Sequence, residues 1–339
     1  MTVNSRANPR ARPMTVVALS AAALLLAGCG TGVSPDTDPD DTTDAVTIEN
    51  CGREVTVDGA PEAAVGMHPA QTELMLRLGL ADRLAGQAQT TAQALPDDVA
   101  ELAEGVPVLG DMAPPSREDL LAVEPDFVYS PTTYEFSADQ GFASIEQLDD
   151  AGAGVYVATG GCEDRRMTGK VTDLFTDLEN LGEIFGVQDE ATGLMEESQT
   201  TLDEVAEVTK DVEPLRVAQV YYEGGTLQAI GAGIEYDILN LAGADNVYTP
   251  DQDAFSDFFA ATISPESLAA EEPDAIVFAA YDEEHEASTR EYLKSTFPDM
   301  PAVQEDRLIV VSTSDMFPGT LGNISAVQQI AEQLYPDAF

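Results

Sequence analysis

Three cysteines, two histidines and a set of methionine and aromatic residues are the side chains of this 339-residue sequence that could do more than solvate a surface. His68 and His285 are its only histidines, and His285 lies in the acidic run YDEEHE. A bare Zn²⁺ or Mn²⁺ ion is held by several histidines and carboxylates together, so two separated histidines do not make such a site. No G-x-S-x-G elbow is present, and neither histidine sits in a motif that pairs it with a nucleophile. No G-x-x-x-x-G-K-[ST] phosphate loop occurs, so the chain is not itself an ATPase. The expectation is a protein that is not an enzyme and carries no cofactor.

An alternation of strand and helix patterns must position these residues, which argues for an α/β fold with mainly parallel sheets. In the first half, strands are expected at 63–67, 83–87, 106–109, 126–130 and 154–158. Helices are expected at 72–80, from about Ser116 and at 145–151. Ser116 reads as an N-cap, with Asp119 three residues on. Apolar residues at helix spacing then run from Val171 to Phe185, and a second helical stretch from about 189 to 210 is closed by Pro214. In the second half, strands at 216–222, 226–230, 274–279 and 307–311 alternate with helices at 234–241, from Ser264, at 288–296 and at 323–334. The segment SREDLLAVEPDFVYS (116–130) is echoed by SPESLAAEEPDAIVFA (264–279). Both run from a capped helix through Glu-Pro-Asp into an apolar strand, which favours two pseudo-symmetric lobes. The 294 residues from Val46 exceed what one core usually supports. The expected division is a lobe over 46–187, a long interlobe helix over 188–212 and a second lobe over 213–339.

The N-terminus reads differently. Residues 1–28 hold Arg6, Arg10 and Arg12, no acid, and an apolar run from Met14 to Leu26, the pattern of an export signal. Leu26-Ala27-Gly28-Cys29 resembles the bacterial lipobox, in which the cysteine takes a diacylglycerol and becomes the new N-terminus. Two or more acyl chains give stable membrane attachment. Residues 29–45, rich in Asp, Thr, Pro and Gly, read as a disordered tether. The sequence has 62 acidic against 15 basic residues, a formal charge of −47 that becomes −50 once the three arginines of residues 1–28 are removed. Only Lys170, Lys210 and Lys294 are lysines. Such a surface excludes phosphate-based nucleic-acid binding. Because the charge is dispersed, it reads as a solvated face suited to a saline medium.

The segment AAVGMHPAQTELMLRLGLADRLAG (63–86), the two S-x-E-x-L…P-D joints, GADNVY (243–248) and LYPDAF (334–339) together resemble the substrate-binding proteins of ABC importers for iron-siderophores, haem and vitamin B12. The resemblance spans residues 50–339 and rests on the order and spacing of motifs that are individually weak. It implies two α/β lobes with mainly parallel sheets, joined by one long α-helix, with the ligand cleft between them and only small closure. Loops leaving the C-terminal ends of strands are then the cleft candidates. They supply Met67, His68, Gln89, Asp111, Met112 and Tyr134 from the first lobe, and Tyr221, Tyr222, Tyr281, Met316 and Phe317 from the second. Aromatic and Met side chains suit a large or chelated ligand. Each taken alone is equally compatible with core packing. The absence of Trp departs from several relatives and leaves ligand identity open. By the motif match, Glu73 and Glu266 are the carboxylates that dock arginines of a membrane permease, although each also suits the start of a helix. With Cys29 given to lipid, Cys51 and Cys162 are an even pair in an exported chain, and related sequences resemble that pair, which implies a disulfide. The expected function is an extracytoplasmic, membrane-anchored, monomeric lipoprotein that binds a ferric siderophore, already chelated, and delivers it to an ABC permease. A cobalamin or haem ligand is the alternative within the class, and a secreted enzyme the alternative outside it.

Overall fold

The computed structural model describes residues 45–339. The expected export signal, Cys29 and nearly all of the expected tether lie outside the described residues.

The chain enters through a hairpin of β1 (Val46–Asn50) and β2 (Arg53–Val57), paired antiparallel. Its two-residue turn is Cys51-Gly52, with φ of 52° and 69°. Two successive positive φ values match the turn to the twist of the strands. Strand β3 (Ala64–Gly66), β4 (Leu84–Ala88), β5 (Val108–Gly110), β6 (Phe127–Ser130) and β7 (Gly154–Val157) follow. They form one sheet, all neighbours parallel, in the order β5-β4-β3-β6-β7. Helices α1 (Pro69–Arg77), α2 (Asp97–Ala100), α3 (Arg117–Ala122) and α4 (Ile145–Asp150) connect them. α1 begins three residues earlier than the sequence pattern suggests. Pro69 occupies a first-turn position that needs no N–H, and His68 caps the helix by accepting from Ala70 N. β5 begins at Val108 and not at 106, because Pro107 cannot donate to a ladder.

Helix α5 (Asp173–Phe185) turns the chain at Gly186 into α6 (Gln188–Thr209), a helix of 22 residues that joins the lobes. α6 buries Ala191, Leu202 and Val205 in a core shared with Leu178 and Leu181 of α5. The second lobe holds β8 (Arg216–Glu223), β9 (Thr226–Ile230), β10 (Asp245–Asn246), β11 (Ala260–Thr262), β12 (Ala275–Ala280) and β13 (Leu308–Ser312). Its sheet is mixed, in the order β11-β9-β8-β12-β13 with β10 also on β8. The β8-β12-β13 centre is parallel, and β9 and β11 are antiparallel additions at one edge. Helices α7 (Gly233–Leu241), α8 (Pro265–Glu271), α9 (Glu283–Thr296), α10 (Pro301–Gln304) and α11 (Gly322–Leu334) complete it. α11 adds Ile330 and Ala331 to the core that α6 shares. α9 starts five residues before its apolar pattern, because Asp282 caps it by accepting from His285 N at 2.7 Å and three acids in its first turn suit the helix dipole.

The echoed joints have one mechanism. Glu124 and Glu272 both adopt positive φ, 47° and 44°, and each precedes its proline. The Asp that follows then pins the neighbouring parallel strand. Asp126 accepts from Ala63 N at 2.9 Å, and Asp274 accepts from Arg216 N at 3.0 Å.

Cys51 and Cys162 form a disulfide with their Cα atoms 5.2 Å apart, spanning 111 residues. In the chain-entropy account, closing so long a loop contributes on the order of 4–5 kcal/mol. Beside it, Asn50 mimics a strand neighbour: its Nδ2 donates to Val157 O and its Oδ1 accepts from Val157 N. The hairpin is therefore fixed to β7 by covalent and polar links together.

Candidate functional site

The parallel strands of both sheets end toward one cavity of about 430 Å³ between the lobes. The first lobe contributes Thr132, just past β6, then Gly160 and Gly161 past β7, and Arg166. The second lobe contributes one face of its sheet. Gln219 and Tyr221 alternate along β8, Gln228 and Ile230 along β9, and Thr313 follows β13. Ile234 and Glu235, from the first turn of α7, and the Phe258-Phe259 pair close one side. The loop of Met316, Phe317 and Pro318 closes another.

That last loop belongs to the second lobe and is held by the first. Gln71 Nε2 donates to Pro318 O at 2.9 Å, and the Tyr129 hydroxyl donates to Gly319 O at 3.1 Å. His68 lies behind it, its ring 4.4 Å from that of Phe317. Asn323 fixes it from below by donating Nδ2 to Phe317 O at 3.0 Å. The aromatic wall is built in pairs. Phe258 and Phe259 lie 4.3 Å apart, and the Arg166 guanidinium stands 5.6 Å above the Phe258 ring. Tyr221 meets His285 edge-on at 5.5 Å, and Tyr281 stacks on the other side of His285 at 4.3 Å. The Tyr221 hydroxyl donates to Glu223, and burial with that carboxylate pushes its pKa up to about 12.

Of the residues proposed from sequence, Tyr221, Met316 and Phe317 border this cavity. His68 supports it from behind. Met67 is fully buried in the first lobe. Strand alternation turns Tyr222 away from Tyr221, and it stacks on Tyr292 with rings 3.8 Å apart. Gln89 is spent on the backbone, its Nε2 donating to Met67 O at 2.8 Å. Asp111, Met112 and Tyr134 are exposed and outside the lining, and Tyr134 rests edge-on against Phe142. Tyr281 is exposed at the far side of His285. Glu73 and Glu266, the carboxylates expected to dock a permease, differ in setting. Glu266 is exposed in the first turn of α8, whereas the Glu73 carboxylate is 12% exposed and paired with Arg77 at 2.7 Å. Burial raises the Glu73 pKa against that pairing.

Sequence reasoning missed Arg166, Gln219, Gln228, Glu235, Phe258, Phe259 and Thr313. Gln219 and Gln228 did carry a signal, since each is a lone amide inside an apolar strand (RVAQVYY and TLQAI). Among the described residues no group of three or more His, Cys, Asp or Glu gathers as a metal site. Both histidines are engaged: His68 Nδ1 accepts from Ala70 N, and His285 Nε2 meets Tyr222 O at 2.7 Å. The cavity can enclose an apolar body and address a few polar groups on it.

Comparison with known proteins agrees with this arrangement. The family model described as periplasmic binding protein matches residues 65–313. An uncharacterised ABC transporter substrate-binding lipoprotein of Bacillus subtilis, YvrC, is 24% identical over 95% of this chain and 96% of its own. A periplasmic binding protein from Veillonella parvula superposes with a TM-score of 0.75 at 27% identity, over 86% of this chain and 98% of its own. An ABC-type Fe³⁺-hydroxamate transport system protein from Saccharomonospora viridis gives a TM-score of 0.70 at 22% identity, over 85% and 98%. With two lobes, one joining helix and strand ends meeting at a shared cavity, the chain belongs to the periplasmic binding protein family.

Proposed function

We propose that this chain is an extracytoplasmic lipoprotein, anchored through Cys29, that captures a ferric siderophore between its lobes and delivers it to the permease of an ABC importer. One observation carries the ligand class. The cavity wall is aromatic and thioether in character, through Tyr221, Phe258, Phe259, Met316 and Phe317, with isolated polar groups set into it. Such a wall suits the organic shell of a complete chelate, whose iron needs no protein ligand. A haem would ask the protein for an axial ligand. Tyr221 is a poor phenolate, since its proton is held up to about pH 12 and its hydroxyl is engaged by Glu223. The Fe³⁺-hydroxamate protein of similar fold supports the same choice.

The test is a titration of the chain with ferric trihydroxamates, haem and cobalamin, read by calorimetry and by quenching of its tyrosine emission. A trihydroxamate is expected to bind at micromolar concentration or below. Phe258→Ala is expected to weaken it about tenfold or more, since an aromatic contact and the seat of Arg166 are lost together. Binding of haem or cobalamin alone, or of nothing in the panel, would overturn the reading.

A further inference from the structure

The polar groups set into the cavity are unequal in kind. Glu235 is the third residue of α7, and its carboxylate forms no ion pair among the described residues. Gln219 is 2% exposed, lines the same cavity, and its Oε1 finds no hydrogen-bond partner among the described residues. A buried acceptor left this way costs free energy unless a ligand donates to it. Gly233, at φ 75°, marks a third acceptor. A Cβ placed there would lie 2.7 Å from the Arg166 carbonyl oxygen and 3.6 Å from Glu235 Oε2. The bare Cα therefore lets two oxygens, one from each lobe, approach a single spot.

Glu235 has an alternative role as a first-turn acid of α7, favoured by the helix dipole. That role accounts for one oxygen near the backbone. It does not account for the orphaned Gln219 oxygen, nor for an Arg166 carbonyl from the opposite lobe beside the same carboxylate. Acceptors contributed to one cavity by β8, α7 and the first-lobe loop call for a ligand group with several donors and a positive charge.

Resting on the ferric-chelate reading of the cavity, we propose that Glu235, with Gln219 Oε1 and the Arg166 carbonyl, forms a subsite for an ammonium group on the ligand, so that the chain selects chelates carrying a free amine. An ammonium offers three donors and a full charge to this set. The Arg166 guanidinium, held over Phe258, is left to face oxygen atoms elsewhere on the chelate. The strongly acidic protein would also attract such a ligand from a distance.

A pH signature follows. Burial raises the Glu235 pKa to about 7. Arg166 and Tyr221 are the other charged and titratable groups that line the cavity, and the Tyr221 hydroxyl donates to Glu223. Two residues along α7, Asp237 is already paired with Lys170 at 2.8 Å. A bound ammonium favours ionised Glu235, so binding releases a proton below about pH 7 and affinity rises with pH through that value.

The experiment compares three ferric trihydroxamates: one with a free primary amine, the same chelate acetylated on that amine, and the same chelate succinylated to carry a carboxylate. The wild-type chain is expected to bind the amine form about tenfold or more tighter than the acetylated one. That preference should grow between pH 5.5 and 8. Glu235→Gln, nearly isosteric, should bind the acetylated form as before and lose both the preference and its pH dependence. Equal binding of the amine and acetylated forms by the wild type overturns the subsite and leaves the chelate reading standing. Tightest binding of the succinylated form also overturns it, pointing to Arg166 as the selecting charge. Failure of all three overturns the chelate reading and the subsite with it.

Discussion

At the scale of single residues, His68 has a structural task that fixes its charge. Its Nδ1 must accept from Ala70 N, which only the neutral ring can do, and burial lowers its pKa from 6.5 to about 4. In the unfolded chain the ring protonates near pH 6.5. The contribution to stability is therefore complete above about pH 6.5 and is lost as pH falls toward 4. Full burial makes this worth on the order of 3 kcal/mol at neutral pH. Asp177 works in the opposite sense. Burial raises its pKa to about 6, so its contribution declines as pH rises through the interval between 3.8 and 6. The two are separated by substitution. His68→Asn keeps a capping oxygen and removes the titration. Its stability deficit against wild type, measured by urea unfolding, is expected to shrink steadily from pH 7 to pH 4. A deficit that is constant with pH would show that the ring is not the titrating group. The same scale shows what the sequence could not convey. Tyr221 and Tyr222 are adjacent and chemically alike, and only the register of β8 against β9 decides which meets the cavity. Arg166 and Glu235 belong to different lobes, so no local pattern places them together.

Elements were more legible than side chains, because their signals are local. Pro125 and Pro273 end helices in the same way, and the aspartates after them fasten the next strands, so the echo of the two lobes survives in the sequence. The β1–β2 hairpin escaped because its turn is Cys-Gly, where Asn-Gly or Asp-Gly would announce positive φ. The element scale also orders the proposed docking carboxylates. Glu266 is exposed in the first turn of α8 and forms no ion pair among the described residues, so a permease cation would meet no competing cation there. Glu73 already shares Arg77 with Asp98, so a permease arginine must compete for it. Charge reversal by Glu266→Arg is accordingly expected to lower uptake about tenfold or more with ligand affinity unchanged. Glu73→Gln should lower uptake by a smaller factor. Uptake assays in cells, beside calorimetry on the purified variants, would decide this. A fall in ligand affinity for either variant would mean that its carboxylate faces the cleft.

At the scale of the whole molecule, charge and architecture act on each other. Acidic residues outnumber basic ones by 62 to 15, so most charges have like neighbours, and compaction brings them closer. The exposed ion pairs of the described residues, such as Lys294–Asp306 and Arg216–Glu271, are of a kind worth little individually. Salt shortens the Debye length from about 10 Å at 0.1 M to about 3 Å at 1 M. Screening therefore removes more repulsion than attraction, and the folded state, being the more compact, gains more from it. The melting temperature is expected to rise on the order of 5 °C between 0.1 and 1 M sodium chloride. The same screening should slow the association of an amine-bearing chelate and leave its acetylated form nearly unaffected, because only the former is steered by the field. Melting curves and stopped-flow binding over that salt range test both statements. A melting temperature that falls with sodium chloride would mean that specific ion pairs, and not the net charge, dominate the electrostatics of this protein.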